Sequence, residues 1–101
     1  MATLSSIRLD TYEVSAIKRA FHETFGAGKV ILFGSRTDPK SRGGDIDLYL
    51  IPADRTHLRS KKIDFSIKLD LYLGERKVDI VIAQDSSRLI EQEALAKGVE
   101  L

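Results

Sequence analysis

Three short apolar runs constrain this chain more than any other feature. They are Lys29-Val30-Ile31-Leu32-Phe33, Asp45-Ile46-Asp47-Leu48-Tyr49-Leu50-Ile51 and Val78-Asp79-Ile80-Val81-Ile82-Ala83. Each is rich in β-branched, aliphatic and aromatic residues and too short for a core helix, so each reads as a strand. The first ends at Gly34-Ser35 and the second is closed by Pro52. Helical patterns surround them. Val14, Ile17, Phe21 and Phe25 recur at helical spacing after Asp10 and Glu13, a candidate capping box, with Gly26 as the stop. Ser87 to Lys97 reads as a closing helix ended by Gly98.

The segment between the second and third strands carries a mixed signal. Ile63, Phe65, Ile67, Leu69, Leu71 and Leu73 alternate strictly, which taken alone favours a strand. Asp64 and Lys68 are spaced for an i,i+4 pair, Gly74 stands where a helix would stop, and no tight-turn dipeptide precedes the third strand. We therefore predict a helix over 56–73. It carries two apolar stripes, one with Leu58, Phe65, Leu69, Tyr72 and Leu73, the other with Ile63, Ile67 and Leu71. A single core covers only one of them, and we expect the Ile63, Ile67 and Leu71 stripe to form part of a subunit or partner interface.

Strands and helices together predict an α/β chain, and 101 residues suit one domain over 1–101. A chain of this size buries roughly two thirds of its unfolded surface. The 16 Lys and Arg nearly balance 15 Asp and Glu, for a formal net charge of +1, so bulk charge does not imply nucleic acid or an acidic membrane as partner. The chain has no cysteine, hence no disulfide, thiolate metal site or cysteine nucleophile. It shows no apolar run of membrane-spanning length and no signal-peptide core, and a cytoplasmic location is expected.

The carboxylates are unevenly placed. Asp45 and Asp47 lie two apart on a predicted strand and share a face, while Ile46, Leu48 and Leu50 take the other. Adjacent carboxylates repel, and magnesium, with its preference for hard oxygen ligands and substrate phosphates, is the natural neutralising cation. Asp79, inside an apolar strand, is expected to be buried and hence paired or metal-bound. If the second and third strands are neighbours, three carboxylates converge. Gly34-Ser35 stands where the first strand leaves the sheet, and glycine there lets backbone approach a ligand while the serine offers its hydroxyl and N–H to phosphate. Arg36 follows as a candidate cation.

Phe33-Gly34-Ser35, nine intervening residues, Asp45-Ile46-Asp47-Leu48 and the later Asp79 together resemble the nucleotidyltransferase superfamily of the polymerase-β-like fold, and specifically its minimal prokaryotic members. The segment Leu73-Gly74-Glu75-Arg76-Lys77-Val78-Asp79 and the closing residues Ala94 to Leu101 look like the corresponding family segments. Gly44 departs from the serine that commonly precedes the first aspartate. The resemblance implies a small mixed β-sheet flanked by helices and nucleotidyl transfer with two Mg2+ ions. Asp45, Asp47 and Asp79 would be catalytic and hold the metal, and Gly34, Ser35 and Arg36 would bind substrate phosphates. The substrate would be ATP or another nucleoside triphosphate, and the product an adenylylated hydroxyl.

No room is seen for an acceptor-binding domain, so acceptor recognition is expected from a partner or a second subunit. In the resembled family that partner is often a small helical HEPN-type toxin, adenylylated on tyrosine by its antitoxin. The alternative is a non-catalytic antitoxin that acts by complex formation alone. Other features read blandly. Gly26-Ala27-Gly28-Lys29 precedes a strand rather than following one and lacks the Ser or Thr of a phosphate loop. His22 and His57 are expected on polar helix faces, Arg55, Arg59, Lys61 and Lys62 on a solvated one, and the three tyrosines as packing residues.

Overall fold

Alternation in the second strand organises the whole domain. A computed structural model describes residues 11–34, 46–74, 77–84 and 87–101. The elements are α1 (Thr11–Phe25), β1 (Gly28–Phe33), β2 (Ile46–Pro52), α2 (Leu58–Leu73), β3 (Val78–Ile82), α3 (Leu89–Lys97) and β4 (Val99–Glu100). The sheet order is β3-β2-β1-β4, with β1 antiparallel to β2 and β4, and β2 parallel to β3. Parallel neighbours need a long crossover, and α2 supplies it. This is the mixed sheet with flanking helices that was expected.

Ile46, Leu48 and Leu50 all point to one face and are fully buried with Leu32, Ile17, Phe21 and Phe65. On that face α1 and α2 pack against each other through three aromatic rings. Phe21 and Phe25 stack at 5.2 Å between centroids, and Phe65 meets them edge-on at 6.3 and 5.8 Å. These geometries suit the ring quadrupoles. The opposite face holds a smaller cluster of Ile31, Phe33, Tyr49 and Ala94, covered by α3.

The ambiguous segment is a helix, and its stripes divide as expected. Phe65 and Leu69 are buried and Leu58, Tyr72 and Leu73 pack against the main core, whereas Ile63, Ile67 and Leu71 are 58%, 53% and 74% exposed. Gly74 ends α2 at a φ of 81°, where a side chain would be strained, and its N–H donates to the Asp70 carbonyl at 3.0 Å. The turn into α2 is held by Asp54, whose carboxylate accepts from the N–H and hydroxyl of Thr56 at 2.9 and 2.7 Å and pairs with Lys61 at 3.3 Å. The Thr56 hydrogen bonds, with help from Lys61, hold the Asp54 carboxyl down at about 2.

Three expectations are corrected, and one strand was not anticipated. Lys68 reaches across to the Thr24 hydroxyl at 3.2 Å rather than along its own helix to Asp64, because α1 packs beside it. His57 lies just before α2 in the left-handed region at φ 53°, not on a helix face. Tyr12 is exposed and donates to the Tyr72 carbonyl, so it is not a core packing residue. Val99–Glu100 adds a strand to the edge of β1, which no periodicity in two residues announces. The Asp10 cap lies outside the described residues.

Candidate active site

Strand register brings the acidic positions together. Asp47 is the Cα partner of Phe33 on β1 and of Asp79 on β3. In-register neighbours on a sheet stand about 4.8 Å apart and present their side chains to the same face. That face is the one α3 covers further along, where Tyr49 and Val81 follow Asp47 and Asp79 by two residues. The acidic pair therefore occupies the part of the face nearest the start of both strands. Asp47 is half-buried and Asp79 is exposed.

The exposure of Asp79 corrects the expectation of burial. Its neighbours Val78 and Ile80 pack against the main core, but strict alternation sends Asp79 to the other side. Because β3 is the edge strand, no further strand among the described residues shields that side chain. A carboxylate so placed costs little by itself and is open to an incoming molecule.

Gly34 completes the described part of the site. It directly follows β1 with φ 78°. A Cβ built there would collide with Oδ2 of Asp47 and stand 3.1 Å from its Cγ. The Asp47 carboxylate thus lies against backbone that only glycine leaves open. Asp45, Ser35 and Arg36 lie outside the described residues. Of the six candidate positions the structure brings together Gly34, Asp47 and Asp79. Among the described residues no group of three ligating side chains forms.

Two carboxylates opposite each other on adjacent strands repel. Hard oxygen donors paired in this way are of the kind a divalent cation such as magnesium takes. Asp47 and Asp79, with Gly34 leaving open the backbone beside them, therefore fit a divalent ion that also carries phosphate oxygens.

Sequence reasoning missed the support beneath this face. Glu91 of α3 is 1% exposed yet accepts from the Tyr49 hydroxyl at 2.7 Å and the Gln84 N–H at 3.0 Å, and pairs with Arg88 at 3.3 Å. A buried carboxylate with several donors is tolerable where a lone one is not. The network fastens α3 to the strand that bears Asp47. In sequence, Glu91 is only an acidic residue in a first helical turn, as the dipole favours, so nothing announces its burial.

Burial, together with the hydrogen bond to Glu91, pushes the Tyr49 phenol up to about 12. A folded-state value above the unfolded one of 10 means the unfolded chain loses this proton first, so the contribution is intact below pH 10 and lost as pH rises through 12. Chemical denaturation at several alkaline pH values should show stability falling across that window. The fall should be shallower in Tyr49→Phe, which has no phenolic proton to lose there.

No described helix is long and apolar enough to cross a membrane. A search of curated proteins finds no match. The family described as Polymerase beta, Nucleotidyltransferase matches residues 15–101. That match takes in the Gly-Ser turn, both strands that bear aspartate and all four described strands, in an architecture consistent with such a domain. Register thus brings Asp47 beside Asp79 and Gly34, in a chain that belongs to the polymerase-β-type nucleotidyltransferase family.

Proposed function

We propose that this chain transfers a nucleoside monophosphate, AMP from ATP, to an acceptor hydroxyl on a partner protein. The observation that carries the reading is the in-register pairing of Asp47 with Asp79 beside the open backbone of Gly34. Asp45, Asp47 and Asp79 would hold two magnesium ions, and Gly34, Ser35 and Arg36 would take the outer phosphates. When bound, the metal neutralises charge on the transferring phosphoryl group and lowers the pKa of the acceptor hydroxyl. The acceptor oxygen forms a bond to the α-phosphorus, the bond from that phosphorus to the bridging oxygen breaks, and pyrophosphate leaves. The acceptor proton passes to a carboxylate oxygen of Asp79, whose exposure is consistent with an acceptor arriving from solvent.

The family resemblance supports a HEPN-type helical protein as acceptor, modified on tyrosine. An exposed Ile63, Ile67 and Leu71 stripe, which the chain's own core does not use, is compatible with such a partner or a second subunit. Ile67→Lys should fold with unchanged melting temperature, within about 0.5 kcal/mol of wild type as exposed substitutions generally are. Co-purification should show it losing its partner. If Ile67→Lys unfolds the domain, the residue belongs to the core and this use of the stripe is wrong.

Incubating the chain with α-labelled ATP, magnesium and the product of its neighbouring gene tests the activity. Label on the partner, absent with EDTA and in Asp79→Ala, supports transfer. A stable complex without label, unaffected by that substitution, supports the non-catalytic antitoxin instead.

A further inference from the structure

The sheet has a second feature that catalysis does not use. β3 pairs only with β2, so its other edge is open among the described residues. The Ile46 N–H donates to the Lys77 carbonyl at 3.1 Å, and the Ala83 N–H donates to the Leu50 carbonyl at 2.8 Å. In a parallel ladder alternate residues face the partner strand. Lys77, Asp79, Val81 and Ala83 therefore face β2, and Ile80 and Ile82 direct their N–H and C=O groups outward.

A groove of about 460 Å³ follows this edge, lined by Ile80, Val81 and Ile82 and by the cations Arg59, Lys62 and Arg88. No carboxylate is among the described residues that line it. Arg88 is already engaged with Glu91, but Arg59 and Lys62 project exposed from the first turns of α2. Unpaired strand edges are templates for another chain, and natural proteins usually cover or blunt them.

We propose that this edge receives an extended acidic segment of a partner protein, which adds to the sheet as a fifth strand beside β3. The segment's backbone pairs with Ile80 and Ile82, and its carboxylates meet Arg59 and Lys62. A second copy of this chain is disfavoured as occupant, because pairing two β3 edges would bring two sets of the same three cations together. Nucleic acid would use the cations but leave the strand edge unpaired. The groove lies along the later part of β3, beyond Asp79, and the proposal stands apart from nucleotidyl transfer.

The test is titration of the 15N-labelled full chain with a short capped peptide of alternating valine and glutamate. Shifts and slowed amide exchange at Ile80 and Ile82 are expected. The Arg59→Glu, Lys62→Glu double variant should weaken binding at least about tenfold. It should fold normally, since acidic residues suit a helix start. The same peptide N-methylated at alternate residues should not bind. Lack of binding by the acidic peptide at millimolar concentration overturns the proposal. So does equal binding of the N-methylated form, which would make charge alone responsible. Tighter binding of single-stranded oligonucleotide at the same residues, or concentration-dependent dimerisation that protects Ile80 and Ile82, overturns it in favour of those occupants.

Discussion

Asp47→Asn is expected to lower the rate of nucleotidyl transfer by about 10³-fold or more while leaving the domain folded. The substitution keeps the shape of the side chain and removes its charge. Asp47 sits between Phe33 and Asp79 in register and against Gly34, so an isosteric amide fits the same space. On the proposed mechanism, what is lost is one anionic ligand from the carboxylate set. Metal stabilisation of the transferring phosphoryl group is worth several kcal/mol, and each 1.36 kcal/mol is about tenfold in rate. Stability should move the other way. Without metal, Asp47 and Asp79 are like charges at paired positions of neighbouring strands, and easing that repulsion is worth a few tenths of a kcal/mol, up to about 1. Initial rates with labelled ATP and thermal denaturation in EDTA measure the two effects. Asp47→Asn activity within tenfold of wild type would remove Asp47 from the site.

The same residues show what was legible beforehand. Ile46, Leu48 and Leu50 declare a buried face by their chemistry, and the two-residue period of a strand then obliges Asp47 to the other face. The two stripes of α2 were equally readable, because a helix of that composition cannot bury both. The exposure of Asp79 was not readable. Its flanking residues Val78 and Ile80 look alike in an edge strand and in a central one, and only the order β3-β2-β1-β4 tells them apart. β4 was invisible for a related reason, since two residues carry no period and Val99 and Glu100 pair through Leu32 and Ile31 of a distant strand. Glu91 marks the deepest limit. Its burial depends on Tyr49, 42 residues away in sequence, meeting the nearby Gln84 and Arg88, and no local pattern contains that meeting. Sequence thus set Asp47 on the face opposite the main core, while the exposure of Asp79 and the burial of Glu91 followed from tertiary neighbours.

Gly34→Ala should reduce transfer by about 10²-fold, the size of effect expected when a catalytic group is displaced by about an ångström. Two separate costs meet at this position. The φ of 78° lies in the left-handed region, where a side chain costs about 1–2 kcal/mol. In addition, the new methyl would collide with Oδ2 of Asp47, so either the carboxylate or the backbone after Phe33 must move. Backbone strain alone would lower stability and leave the rate per folded molecule unchanged. Displacement of Asp47 lowers that rate as well. A double-mutant cycle with Asp47→Ala separates the two, because that background removes the carboxylate the methyl would strike. The stability cost of Gly34→Ala should then shrink toward about 1–2 kcal/mol, the conformational share alone. An unchanged cost in both backgrounds would mean that Asp47 does not rest against Gly34 in solution. The shrinking cost, together with a rate deficit in the single variant measured at full folding, would tie the glycine of the turn directly to the placement of the carboxylate.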